Sequence, residues 1–271
     1  MKSEAKQSRI KRYWRKCVRC DHRFAKEKSL CPSCYYWNTP TEIAAEETIL
    51  LSQVTGETIT RISTGPWDNL FGFSPNGNSG IVTSSVVLIG GSPGAGKSTF
   101  ALQFADSIAE ARKREVLYIA AEESAKQIRD RADRLQVRNA SLLRLVPMGG
   151  SEDLTKIFER FKPSAIIIDS LPALVPDKDV AAAFCSGLKE WAVKLEAPIV
   201  VIDQVNKELD FAGTMSLQHA VDVLIALFPD EAGIRTMYTI KNRFGPTPVS
   251  CMLNMTTEGL ILGLEENEEK D

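Results

Sequence analysis

One ten-residue stretch narrows the folds open to this chain more than any other. Gly90-Gly91-Ser92-Pro93-Gly94-Ala95-Gly96-Lys97-Ser98-Thr99 follows the apolar run Val86-Val87-Leu88-Ile89 and precedes a helix-patterned segment. Strand, glycine loop and helix, in that order, are the context of a phosphate-binding loop. Gly91, four residues, then Gly96-Lys97-Ser98 lets backbone N–H groups curl round a polyphosphate at the positive end of the following helix. Residues Gly91, Ser92, Pro93, Gly94, Ala95, Gly96, Lys97, Ser98 and Thr99 would then hold the nucleotide, with Lys97 on the β and γ phosphates and the Ser98 hydroxyl on Mg²⁺. The ligand is expected to be ATP with Mg²⁺. A glycine-rich turn with a chance lysine is the bland alternative, and the flanking strand and helix disfavour it.

Downstream, apolar runs and helical patterns alternate. Phe100, Phe104 and Ile108 recur every fourth residue, so the helix after the loop buries one face. Val116 to Ala121 reads as a fully buried strand ending at Glu122-Glu123-Ser124. A carboxylate at that tip can orient the water that attacks a γ-phosphate, and Glu122 is the first choice over Glu123. Alternatively the pair only sits at the negative-charge-favouring start of the next helix, which has Ile128, Ala132 and Leu135 inward and Arg129, Arg131 and Arg134 outward. A strand over 142–146 and a helix carrying Leu154, Ile157, Phe158 and Phe161 lead to Ala165-Ile166-Ile167-Ile168-Asp169. Four apolar residues capped by Asp, after a phosphate loop, form a Walker B pattern, which places Asp169 by the Mg²⁺ shell. The stretch 171–179 reads as a loop, 180–195 as a helix and 199–202 as a strand ending in Asp203-Gln204. Gln204 could sense the γ-phosphate and relay its loss to a candidate effector loop over 205–216.

This alternation predicts an α/β domain, a mostly parallel sheet with helices on both faces and a ligand site at the carboxyl ends of the strands. Beyond it, 221–228, 235–240 and 249–255 read as strands of an antiparallel extension. Lys241-Asn242-Arg243-Phe244-Gly245 puts two cations at a strand end. Upstream, Thr64 to Gly72 reads as a turn and short helix with Trp67 as a packing residue, and 74–80 as a loop.

The N-terminus carries a different chemistry. Cys17-x-x-Cys20 and Cys31-x-x-Cys34 can bring four thiolates to the corners of a tetrahedron, the requirement of structural Zn²⁺. So small a module has little core, and the metal would supply most of its folding energy. A redox dithiol and an iron–sulfur site are the alternatives, and His22 could replace one thiolate. Residues 1 to 28 hold eleven Lys/Arg against three Asp/Glu, interleaved with Tyr13 and Trp14. That mixture suits phosphates and unstacked bases; it equally suits a solvated face or a protein-docking surface. The predicted divisions of the 271-residue chain are a zinc module over 1–37, a polar linker over 38–58 with a helical patch at 43–51, an ATPase domain over 59–263 and an acidic tail over 264–271. No apolar run approaches the roughly 18 residues that cross a bilayer. With paired cysteines suited to a reducing compartment, this predicts a cytoplasmic protein with no membrane partner.

Taken together, the paired CxxC knuckles running into Cys34-Tyr35-Tyr36-Trp37-Asn38-Thr39, the phosphate loop, Tyr118 to Ser124 with Gln127-Ile128 and Arg131-Ala132, and Lys241 to Gly245 resemble the bacterial RadA/Sms DNA repair ATPases. The resemblance runs from the zinc module to about Gly263. It implies a RecA-type P-loop core, a hexameric ring, ATP-driven movement on single-stranded or branched DNA, and recombinational repair beside a RecA-type recombinase. It also implies that Lys241 and Arg243 act across a subunit interface or couple ATP state to DNA. Two departures are visible: the family's Lon-protease-like domain is not seen after residue 263, which suggests a short form, and 207–213 lacks the glycine-rich pattern expected there. The rival class is a non-motor ATP switch that assembles or docks partners with nucleotide state; a small-molecule P-loop kinase is disfavoured by the zinc module.

Overall fold

The computed structural model describes residues 14–17, 23–25, 59–147, 154–204, 215–230 and 233–263. The chain divides into two compact units, Met1–Glu57 and Thr58–Asp271. Of the first, a short antiparallel hairpin is described, β1 (Trp14–Lys16) against β2 (Arg23–Ala25). Cys17 directly follows β1 and is buried. Cys20, Cys31, Cys34, His22 and the linker with its helical patch lie outside the described residues, as do 205–214 and the acidic tail.

The second unit is built on a nine-stranded sheet. It begins with β3 (Arg61–Ile62), a 3₁₀ turn (Gly65–Trp67), α1 (Asp68–Phe71) and β4 (Ile81–Val82). The phosphate-loop strand β5 (Val86–Gly91) and α2 (Lys97–Arg112) follow, then β6 (Val116–Ala120), α3 (Ala125–Arg134), β7 (Leu143–Pro147), α4 (Leu154–Phe161) and β8 (Ala165–Asp169). Next come α5 (Leu171–Leu174), α6 (Lys178–Leu195), β9 (Ile199–Gln204), α7 (Met215–Ala220), β10 (Val223–Pro229), β11 (Arg235–Asn242), β12 (Val249–Thr256) and β13 (Gly259–Leu262). The strand order is β13-β12-β11-β10-β5-β9-β8-β6-β7.

Strands β10, β5, β9, β8, β6 and β7 run parallel, and the predicted parallel core is present. The C-terminal extension differs in one respect from the sequence reading: the stretch expected to open an antiparallel unit, β10, pairs parallel with β5. Antiparallel pairing begins only at β11, and β13 adds an edge strand that the pattern did not suggest. The first outcome follows from β10 being apolar along most of its length, which suits a central strand buried on two faces. Of the segment 171–179, read as a loop, residues 175–177 are a loop, while 171–174 form α5 and 178–179 begin α6. Pro172 sits in the first turn of α5, where a missing N–H costs nothing.

Alternate residues of the buried strands feed two cores. On one face Val87, Ile89, Tyr118, Ile167 and Val200 meet α1 and α2; on the other Leu88, Leu117, Ile166 and Val201 meet α4, α6 and α7. Trp67 is a packing residue, edge-on to Phe100 at 5.0 Å, and Phe100 and Phe71 each stack on Phe104 at 5.3 Å. This aromatic chain fixes the segment before the sheet to the helix that carries the phosphate loop. Among the described residues no helix is long and apolar enough to cross a membrane.

Asp68 holds the turn that launches α1. Its carboxylate accepts from Thr64 N (2.5 Å), Thr64 Oγ1 (2.8 Å), Ser63 Oγ (2.9 Å) and Ser79 Oγ (2.5 Å). Burial pushes its pKa up, but the hydrogen bonds from Ser79, Thr64 and Ser63 outweigh that and hold it below the ordinary aspartate value. A depressed folded-state pKa stabilises above the unfolded pKa, and that contribution is lost as pH falls through the folded value. Asp68→Ala is therefore expected to cost about 1–3 kcal/mol at neutral pH. In urea titrations the gap between variant and parent should close as the buffer is taken into the acid range.

Candidate functional site

Side chains from four adjacent parallel strands converge at their carboxyl ends, where a cleft of about 510 Å³ opens. Lys97, Ser98 and Thr99 come from the loop after β5 and the start of α2, Glu122 from the end of β6, Asp169 from the end of β8 and Gln204 from β9. Four sequence-predicted residues, Lys97, Glu122, Asp169 and Gln204, thus line one cavity.

The loop's glycines have separate reasons to lack a side chain. A Cβ on Gly91 would lie 2.2 Å from the carbonyl oxygen of Leu227 on β10, so the parallel neighbour forbids it. Gly96 has φ +104° and a Cβ there would lie 2.6 Å from Met255 Cε. Lys97 Nζ donates to Gly91 O (2.7 Å) and Ser92 O (2.9 Å), which fixes the ammonium at the end of β5. Only 8% of Lys97 is exposed. Burial draws its pKa down, while Asp169, Glu122 and Asp203 push it back up.

Asp169 is buried, and its Oδ2 accepts from Tyr118 OH at 2.6 Å. Burial raises the Asp169 pKa, hydrogen bonds from Tyr118 and Ser98 lower it, and Glu122 and Glu123 raise it again; the net direction is upward. The hydroxyl of Ser98 and the carboxylate of Asp169 thus lie together, a hard-oxygen pair of the type Mg²⁺ selects. Burial and the Asp169 charge in turn push the Tyr118 phenol well above its ordinary pKa, so it remains a donor.

The two neighbouring glutamates are treated differently. Glu122 Oε1 accepts from Ser170 Oγ and, at 3.3 Å, from Gln204 Nε2. Glu123 is taken by Arg131 through two bonds of 2.7 and 2.5 Å. Arg131, expected to point outward, is half-buried and lines the cleft. Helix α3 does not need either carboxylate as a cap, because Ser124 and Gln127 form a complete capping box.

Sequence reasoning missed the wall opposite. Met255 and Thr256, at the β12–β13 turn, line the cleft with Arg134, and Arg134 Nη1 holds Thr257 O at 3.0 Å. Arg235 Nε donates to Ala95 O at 3.1 Å, bracing the loop from β11. No local pattern marks these residues, since a hairpin more than 150 positions from the loop brings Met255 to it. Tyr118 and Ser170 carried a faint signal, each lying in or just after a strand that ends at the site.

Lys241 and Arg243 are not brought to this cleft. β11 runs antiparallel to β10, and Asn242 faces Val223, which faces Val87 near the start of β5. The pair therefore lies at the opposite end of the sheet, roughly 13 Å of strand away from Gly91. Lys241 Nζ donates to Gln218 O (2.7 Å) and Val221 O (2.8 Å) at the end of α7. Buried Asp222 accepts from Val86 N (3.0 Å) and pairs with Lys189 (2.8 Å) and Arg243 (3.5 Å).

Among the described residues no group of three or more metal-capable side chains comes together, and three of the four zinc-candidate cysteines lie outside them. Cys185 and Cys251, which the sequence reading left aside, are held up by burial to about 12 and about 11, as expected of inert core thiols.

Comparison with known proteins agrees with this geometry. The family model for the KaiC ATPase matches residues 64–144. The DNA repair protein RadA of Aquifex aeolicus is 33% identical over 90% of this chain and 58% of its own length. That of Campylobacter jejuni is 33% identical over 90% and 59%, and that of Bacillus subtilis 30% identical over 93% and 60%. The chain thus spans about three fifths of these relatives. The crystal structure of a KaiC-like protein from Pyrococcus horikoshii matches 76% of this chain and all of its own, with a TM-score of 0.63 and 16% identity, which is a likeness of fold.

Tyr118→Phe should leave a buried carboxylate short of one donor and lower unfolding free energy by about 1–3 kcal/mol in urea. A variant as stable as the parent would show that the phenol does not hold Asp169.

Proposed function

We propose, on the premise that this chain belongs to the RadA family of bacterial DNA repair ATPases over the stretch it shares with them, that it hydrolyses MgATP and couples the cycle to single-stranded or branched DNA in recombinational repair. The observation that carries the reading is the convergence of Lys97, Glu122, Asp169 and Gln204 on one cleft at the carboxyl ends of β5, β6, β8 and β9. Residues Gly91 to Thr99 would hold the polyphosphate, and Ser98 and Asp169 would hold Mg²⁺, whose charge would offset that of the phosphates. Glu122 takes the proton of the attacking water. Gln204 touches Glu122 and begins the segment that leads to α7, so it is placed to relay turnover.

Lys241 and Arg243 serve a neighbouring protomer's cleft. Their distance from the cleft of their own chain supports this, because a heterologous ring joins two different patches of the same surface. Six protomers in such a ring, work beside a RecA-type recombinase and a cytoplasmic setting complete the family reading. Structural Zn²⁺ is proposed for Cys17, Cys20, Cys31 and Cys34, with the surrounding basic arm available for DNA.

Steady-state ATPase should rise several-fold with single-stranded DNA, and the DNA effect should weaken with salt as counterion release predicts. Lys97→Ala should lower turnover by roughly 10²-fold or more, and Glu122→Gln comparably while still binding nucleotide. Turnover indifferent to DNA, with nucleotide-driven assembly intact, would select the ATP-switch reading instead.

Metal analysis of the purified chain should give about one zinc per protomer, and Cys31→Ser should release it. An unaltered zinc content in that variant would remove Cys31 from the ligand set.

A further inference from the structure

The lower end of the sheet carries more than the two cations. Between α1 and β4 the chain turns back on itself from Gly72 to Gly80. Ser74 N bonds Asn78 O (2.8 Å), Gly77 N bonds Ser74 O (2.9 Å) and Gly80 N bonds Gly72 O (3.2 Å). Phe73 faces Ser79 across this small hairpin. It leaves 56% of its surface exposed.

The hairpin and the turn after β11 are one piece. The Arg61 guanidinium donates to Gly72 O (3.3 Å), Gly80 O (2.8 Å) and Phe244 O (2.5 Å), and Asn242 Nδ2 donates to Phe71 O (3.1 Å). Gly72 and Gly245 pack back to back, so close that a Cβ on Gly72 would lie 3.1 Å from Gly245 Cα. Arg243 is the residue of that turn left half in solvent, its side chain 54% exposed with one long contact of 3.5 Å to Asp222. An exposed aromatic therefore stands on the same rigid platform as an exposed arginine.

The cleft at the other end has the complementary need. Its described cations, Lys97, Arg131 and Arg134, are each engaged within their own chain, on the loop carbonyls, on Glu123 and on Thr257. A polyphosphate bound there would add negative charge beside the carboxylates Glu122 and Asp169, and that added charge is what an arriving cation would meet. Exposed apolar side chains stand at the same end, Ile234 in the β10–β11 connection and Val180 near the start of α6. A cation and an aromatic at one end, and carboxylates with apolar neighbours at the other, cannot meet within one chain.

We propose that the hairpin Gly72–Gly80, clamped by Arg61 to the turn bearing Arg243, is a docking surface for a second copy of this chain, with Phe73 as its apolar anchor beside the partner's nucleotide cleft. The proposal rests on the ATPase reading and adds to it a residue outside every phosphate-contacting motif. Phe73 fixes where the arginine arrives. The contact is heterologous, so repeating it gives a ring or a filament.

The full chain with Mg²⁺ and a non-hydrolysable ATP analogue provides the test, by light scattering across a concentration series. The parent should assemble, while Phe73→Glu should need at least tenfold more protein to do so, with Phe73→Ala intermediate. Both variants should keep the parent's melting temperature and its affinity for a fluorescent nucleotide. Assembly of Phe73→Glu at the parent's concentration would overturn the proposal and leave the ATPase reading standing. Loss of single-stranded DNA binding with assembly unchanged would give the hairpin to nucleic acid and also overturn it. A parent that stays monomeric would bring down the ring reading and this inference together.

Discussion

A buried ammonium needs opposite charge within reach, and in this fold that need is met from three strands at once. Lys97 sits where β5 turns into α2, shielded from water on most sides. Desolvation draws its pKa down, and the nearby carboxylates of Asp169, Glu122 and Asp203 oppose that without reversing it. Those carboxylates stand at the ends of β8, β6 and β9, so the electrostatics of one side chain depends on the order in which the strands are laid. A β5-β9-β8-β6 arrangement puts all three carboxyl ends on the same edge, and right-handed crossovers through α2, α4 and α6 are what produce it. Tyr118 then acts one layer down. By donating to Asp169 from within the core it holds one carboxylate oxygen, while Ser98 also bonds the same carboxylate.

The same strand is secured at its other end by a second charged group. Asp222 receives the first N–H of β5 and gathers Lys189 and Arg243, so the carboxylate that seats Val86 also holds the arginine at the sheet's lower end. Breaking a buried pair by removing one partner is costly, since it leaves the other charge in low dielectric. β5 is thereby fixed at both ends by ionic contacts and along its length by β9 and β10. Such a strand transmits position well and absorbs strain poorly. Lys241, which caps the last turn of α7, ties the same end to the helix that follows the Gln204 segment.

What could be read directly from residue order was whatever depends on local pattern. The run Val86 to Ile89, the glycine loop, the four-apolar-plus-Asp run and the periodic Phe100, Phe104 and Ile108 each report their own environment, and strand and helix formed where they pointed. The site's long-range partners do not. Arg131 looked like an outward member of a charged helix face because periodicity reports direction relative to the helix axis, whereas its partner Glu123 lies in the loop that precedes α3 and folds back over it. Met255 and Thr256 reach the cleft through an antiparallel hairpin whose register no local signal sets. β10 was assigned to the antiparallel unit because a buried apolar strand reads the same in either direction; its parallel partner is chosen by α7, which returns the chain across the sheet.

The adjacent pair Glu122 and Glu123 shows how tertiary context separates two residues that composition cannot. Glu123 is held by the Arg131 guanidinium in a bidentate pair, which fixes its carboxylate in place. Glu122, one residue away, is touched by a hydroxyl and an amide, donors that orient a carboxylate without neutralising it. The capping box at Ser124 supplies the hydrogen-bond cap of α3 without either glutamate. The amide that contacts Glu122 belongs to the end of β9, so the aim of that carboxylate depends on where this strand end sits in the sheet.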